Sequence, residues 1–249
     1  MTLFLRLLLG HMIGDYVLQP FQLVLMKRRG WWGILIHVSI VVVATGIILW
    51  PVLGHWWYWP WLLILFIGHL ITDRSRTLLL RNSKKRDLLY LVIDQVLHVS
   101  LLLLIVTLSR TWQVYHPATL PALTASPQEN GLIVYVVCLI FLIWTVPVIE
   151  VETMNTLEAA SQNPAGERGL RIAGWDRLVG ALERIGAVAL MLAGFIYVVP
   201  FVFLPRILIQ RTEWRSFPLQ RRFLVKTAIS FFSAILTGLV LVSVPLSFF

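Results

Sequence analysis

Charge is scarce in this sequence. Charged residues make up 13% of its 249 positions, where soluble domains run at about 25%. Acidic groups are the scarcest, with 12 Asp and Glu against 21 Lys and Arg, a formal net charge of +9. Cysteine is almost absent. The one cysteine, Cys138, sits inside an apolar run, which excludes an intramolecular disulfide and any thiolate metal motif and reads as a small packing residue. No small-residue cleavage site follows the first apolar run, which His11 and Asp15 interrupt, so the first helix is expected to be retained and not removed as a signal peptide. No internal repeat stands out. The positive excess lies largely in short connections, and no basic face is interleaved with aromatics, which argues against a nucleic-acid partner.

What is abundant is hydrophobic sequence, 58% of the chain. Apolar runs near the length of a bilayer crossing recur and predict an all-α fold, a polytopic transmembrane helix bundle of six to eight spans. Seven are read, at 3–24, 32–50, 60–80, 88–108, 131–150, 178–204 and 223–246. The connections with Lys27, Arg28 and Arg29, and with Arg74, Arg76, Arg81, Lys84, Lys85 and Arg86, are expected on the cytoplasmic side. The tryptophan-rich GHWWYWP and the segment 109–130 are expected outside, with His55 and His116 as surface residues. The second half is less regular. Gly194, Pro200 and Pro205 predict a broken or re-entrant sixth span. Three regions result: a four-helix membrane core over 1–108, an outer loop with the fifth span and a polar connection over 109–177, and C-terminal helices over 178–249.

Against this background the ionisable residues inside the first four spans stand out. His11, Asp15, Gln19 and Gln22 fall within about 80° of one another around an ideal helix. His69 and Asp73 repeat the four-residue spacing in the third span, and Asp94 and His98 repeat it in reverse order in the fourth, where Gln95 adjoins. His37 stands alone in the second. This spacing puts both members of each pair on one helix face. Counted from the basic connections at about 1.5 Å per residue, all seven groups fall near mid-membrane or on the cytoplasmic side of it. Four bundled helices would aim them into one cavity open to the cytoplasm.

An aspartate at the centre of a spanning helix costs roughly 2.5–3.5 kcal/mol on insertion scales. Four imidazoles and three carboxylates are a ligand set for one or two divalent ions, and mixed N/O ligation suits Zn, Fe or Mn. The candidate ligands are His11, Asp15, His37, His69, Asp73, Asp94 and His98, with Asp15 or Asp94 left as general base. Gln19 and Gln95 are candidates to orient ligands or substrate. Arg76, seven positions after His69, faces the same way and is a candidate for an anionic head group. Glu183 and Arg184 of the GALER segment read as packing groups. A bis-histidine haem would leave the aspartates unexplained.

The ordered set H-x2-G-D-x3-Q (His11, Gly14, Asp15, Gln19), a lone histidine in the second span, H-x3-D (His69, Asp73), D-Q-x2-H (Asp94, Gln95, His98) and G-x-L-E-R (Gly180, Glu183, Arg184) resembles a bacterial multi-pass membrane family known as domain of unknown function 3307. The resemblance covers about 5–108 well and 175–240 loosely. It implies an integral protein of the cell inner (plasma) membrane and supplies no activity. The site itself suggests a metal-dependent hydrolase of a lipid or lipid-linked phosphate, with membrane lipid as partner. A proton- or cation-coupled transporter component and a structural membrane scaffold are the alternatives.

Overall fold

The computed structural model describes residues 2–50, 59–82, 86–115, 126–160, 174–209 and 217–244. Most of the tryptophan-rich connection with His55, the Lys84–Lys85 pair, the stretch 116–125 with His116, and the segments 161–173 and 210–216 lie outside these residues. The described residues are helical, with no strand among them. In chain order the helices are α1 (Thr2–Met12), α2 (Phe21–Arg29), α3 (Trp31–Ile48), α4 (Trp59–Asn82), α5 (Asp87–Tyr115), α6 (Pro127–Ile140), α7 (Val146–Ala160), α8 (Gly174–Leu192), α9 (Leu204–Ile209) and α10 (Phe217–Val242). The chain forms two compact units, Met1–Val137 and Cys138–Phe249.

Among the described residues, four helical stretches are long and apolar enough to cross a membrane: Trp31–Ile48, Asp87–Arg110, Pro127–Leu157 and Gln220–Val242. They correspond to the second, fourth, fifth and seventh expected spans. α5 shows why such a stretch is one helix. It has no glycine or proline over 29 residues, is rich in leucine, and carries Asp87 in its first turn, where a carboxylate complements the helix dipole. The other three expected spans depart from that pattern. α4 has the length but carries Asp73, Arg74 and Arg76 in its second half.

The first span is not one helix. α1 runs into a π-helical turn at Ile13–Val17, closed by Leu18 N–H donating to the Ile13 carbonyl at 2.8 Å. The chain then breaks, and Pro20 starts α2. Proline disfavours helix at the residue before it, which accounts for the break. The expected stripe therefore ends early: Gln19 stays beside the site, and Gln22 lies exposed on α2. The sixth span is broken as its glycine and prolines imply. α8 stops at Leu192, Gly194 takes a left-handed φ of 83°, and a 3₁₀ stretch with Pro200 inside it follows at Ile196–Phe203.

In the first unit α1, α3, α4 and α5 close a ring, each packed on two of the others, with α2 laid against α3. Leu7, Leu49, Leu62, Leu65, Leu102 and Ile105 fill its apolar part. Gly10 and Gly14 bring α1 against α3. A Cβ on either would come within 2.5 Å of the Cα of Thr45 or Val41, respectively. Small residues four apart allow this backbone approach, and each of them immediately precedes a candidate ligand, His11 or Asp15. The ring is inside-out relative to a soluble bundle. On α4, Leu63, Ile67 and Ile71 are exposed while His69 and Asp73, on the opposite face, are buried. On α5, Val92, Val96 and Leu103 are exposed while Asp94 and His98 are buried. Apolar faces turned outward and ionisable ones inward suit a lipid surround.

In the second unit α7, α8 and α10 pack together with the 3₁₀ stretch. Their centre is ionic. Arg184, 1% exposed, donates from Nε to the Leu142 carbonyl at 2.8 Å and from Nη1 to Ser230 Oγ at 2.9 Å, and it lies 3.4 Å from Glu150. Ser230 donates to Glu150 at 2.7 Å, and Arg206 pairs with Glu183 at 2.8 Å. Leu142 belongs to a second π-helical turn, Phe141–Thr145, in which wider hydrogen bonding leaves a carbonyl for the guanidinium. Gly180 leaves room for both arginines, since a Cβ there would sit 3.0 Å from Arg206 Nη2 and 3.1 Å from Arg184 Nη1. Glu183 and Arg184 thus pack in a network of their own.

Candidate metal centre

Each helix of the ring brings its polar residues to the interior for a local reason. The π-helical turn holds Asp15, and Gly10 and Gly14 ahead of that residue keep this stretch close to α3. His37 is one turn past Gly33, where α3 meets α2. His69–Asp73 and Asp94–His98 use the one-turn spacing of straight helices. All seven expected ligands are buried, with His37 and His69 at 0% exposure.

Four donor atoms from three helical segments converge. His37 Nε2 and His69 Nε2 are 3.3 Å apart. His37 Nε2 lies 2.9 Å from Asp15 Oδ1 and 3.4 Å from Asp73 Oδ2. His69 Nε2 lies 3.8 Å and 3.7 Å from the same two oxygens. A tetrahedral ion with bonds of about 2.0–2.2 Å needs donors separated by about 3.3–3.6 Å. The observed separations scatter around that value, so small side-chain shifts would close the site. Among the described residues, two overlapping groups are spaced to hold an ion: Asp15, His37 and His69, and also His69, Asp73 and His98, with the donor atoms of each group within 4.8 Å of one another. His69 is common to both.

The remaining imidazoles surround this quartet. Ring centroids are separated by 5.0 Å for His11–His98, 5.3 Å for His11–His69 and 4.2 Å for His69–His98. His98 Nδ1 donates to the Asp94 carbonyl at 2.8 Å, which turns Nε2 inward. This is the arrangement usual for a metal-ligating histidine, whose second nitrogen is tied to an oxygen. Both ring nitrogens of His11, Nδ1 of His37 and His69, and Nε2 of His98 are buried without a hydrogen-bond partner among the described residues. Each unmet buried polar atom costs about 1–3 kcal/mol. A cluster of them marks a place that suits an ion and its bound water better than it suits packed protein.

The expected accessory residues divide. Arg76 Nη1 lies 3.4 Å from Asp94 Oδ2, and Gln95 Nε2 donates to the same oxygen at 3.1 Å. Asp94 is thereby held by a cation and an amide, one turn from His98, and is absent from both ion-holding groups. Gln19 accepts from Lys27 Nζ at 3.1 Å. Lys27 Nζ in turn sits 2.8 Å from Asp73 Oδ2. Lys27 is the site residue that the sequence reading missed, because it lies in a basic run that topology alone explains. The Pro20 break is the signal that could have found it, since it folds the chain back on α3. Arg74 stacks on Trp31 at 4.4 Å. These contacts put the basic end of α2 and the start of α3 beside the Asp73–Arg74 stretch of α4.

Residues 3–124 match the family model described as Protein of unknown function (DUF3307). The matched segment runs through α1–α5 and contains every residue of the cluster; the looser likeness at 175–240 falls outside it. No curated protein and no solved structure matches the chain.

Proposed function

We propose that this chain is a bacterial inner-membrane protein of six to eight crossings that binds a divalent ion within its first unit and hydrolyses a lipid or lipid-linked phosphate from the cytoplasmic side. The observation that carries the reading is the buried quartet of Asp15, His37, His69 and Asp73, in which the two histidine Nε2 atoms are 3.3 Å apart and each lies 2.9–3.8 Å from both carboxylates. Mixed N/O donors suit Zn, Fe or Mn. A bound ion supplies a water of pKa lowered toward about 7 and polarises a phosphoryl oxygen. Asp15 and Asp73 serve as ligands. Asp94, outside the quartet but one turn from His98, is the general base, and Arg76 and Gln95 orient it. The apolar outer faces of α4 and α5 leave lipid in direct contact with the ring.

Phosphate release from a panel of lipid phosphates by purified, metal-loaded protein tests the reading. Asp94→Asn is expected to keep its metal and lose about 10²–10⁴-fold in rate. A loaded wild type that releases no phosphate from any of them overturns the hydrolase. The close run of imidazoles from His11 through His98 and His69 to His37, with neighbouring centroids 4.2–5.3 Å apart, favours a proton-coupled transporter component as the second reading. Proton flux in proteoliposomes, lost in His11→Ala, would select it.

A further inference from the structure

The quartet is not the whole charge of the site. Asp15, Asp73 and Asp94 contribute three carboxylates, and Lys27 and Arg76 stand within ion-pair distance of two of them. With neutral imidazoles the cluster carries one net negative charge. One divalent ion turns this into one net positive charge, and two ions into three. An excess positive charge in a low-dielectric interior is costly, so the structure balances for one ion together with one monoanion.

Lys27 is placed to receive that anion. Its ammonium contacts Asp73 Oδ2, an oxygen that also faces both histidines of the quartet. Its side chain is 14% exposed whereas that of Asp73 is 3% exposed, so Lys27 stands where the buried cluster meets the outside. The position is built. Gly33 lets α2 lie directly on α3, and a Cβ there would overlap the backbone of Met26 and Lys27. The Pro20 break permits this fold-back.

We infer that Lys27 is an oxyanion receptor of the proposed metal centre, holding a phosphate group against a single bound ion. This rests on the metal reading of the quartet and adds the stoichiometry, the charge of the ligand and the residue that binds it. When an ion takes Asp73 Oδ2, the ammonium loses part of its carboxylate partner and turns a donor to the oxyanion. Gln19 Oε1 accepts from the same ammonium at 3.1 Å and steadies it.

Zinc content and anion binding, measured on the same detergent-purified full chain, test this. The probes are inorganic phosphate and dihexanoyl phosphatidic acid. The wild type is expected to hold one zinc and to bind phosphate only when loaded. Lys27→Met should keep the zinc and weaken phosphate binding about 10–100-fold, the range for a lost charge-assisted hydrogen bond, and Lys27→Arg should restore most of it. Gly33→Ala, which displaces Lys27 without touching a ligand, should weaken it as well and serves if the Met variant does not fold. A phosphatidate bound more tightly than inorganic phosphate identifies a lipid headgroup as the source, and equal binding identifies free phosphate. Zinc-loaded Lys27→Met that binds phosphate like the wild type overturns the inference and leaves the metal site standing. A wild type that holds no zinc removes both.

Discussion

Replacing His69 by alanine is expected to lower bound divalent metal from about one ion per chain to below about a tenth, the largest loss of any single substitution at a multidentate site. His69 is the one residue shared by both groups able to hold an ion. Its Nε2 faces His37, Asp15 and Asp73, and its ring also packs on His98 and His11. His98→Ala should cost less, because the quartet survives it. Metal analysis of the purified variants checks the order. Equal metal in wild type and His69→Ala would mean that the ion sits elsewhere or that the cluster only locks the helices together, as the scaffold alternative requires.

The second large effect belongs to the other unit. Arg184→Leu is expected to destabilise by about 3–5 kcal/mol, because it strands a buried carboxylate. Glu150 would lose its guanidinium, and the Leu142 carbonyl and Ser230 would each lose a donor. Adding Glu150→Gln should recover part of the loss, since it removes the stranded charge. Unfolding midpoints in detergent measure both. Metal content should be untouched, because no ligand of the proposed centre lies in that unit. A single variant as stable as the wild type would show that the network is not held as the distances imply.

The two sites differ in how legible they were in the sequence. The ring interior was readable because the one-turn His/Asp spacing and the cost of a charge in hydrocarbon are local facts, and three helices repeat them. Convergence of His11, His37, His69 and His98 then followed from the need for partners. The break after the first π-helical turn was harder to read. A five-residue turn keeps helix-like composition, and only Pro20 hints that the rod stops. Lys27 was hidden for the same reason, since a basic residue after an apolar run has a sufficient explanation in topology. Glu183 and Arg184 read as packing groups, but their partners Glu150, Arg206 and Ser230 are far apart in sequence and share no spacing, so the network that joins them was not legible. The first, third and sixth expected spans are the ones that depart from a plain apolar rod: the first breaks before Pro20, the third carries charged residues in its second half, and the sixth breaks at Gly194 ahead of the 3₁₀ stretch with Pro200.

The proposed centre requires Asp15, His37, His69 and Asp73 to coordinate one ion. X-ray absorption at the zinc edge on the loaded, purified chain tests it most directly. Five light N/O neighbours are expected at about 2.0–2.2 Å, the four side-chain donors and one water, with the outer-sphere imidazole signal of two histidines, falling to one in His37→Ala. An imidazole signal unchanged in His37→Ala, or a protein that holds no zinc after loading, would contradict it.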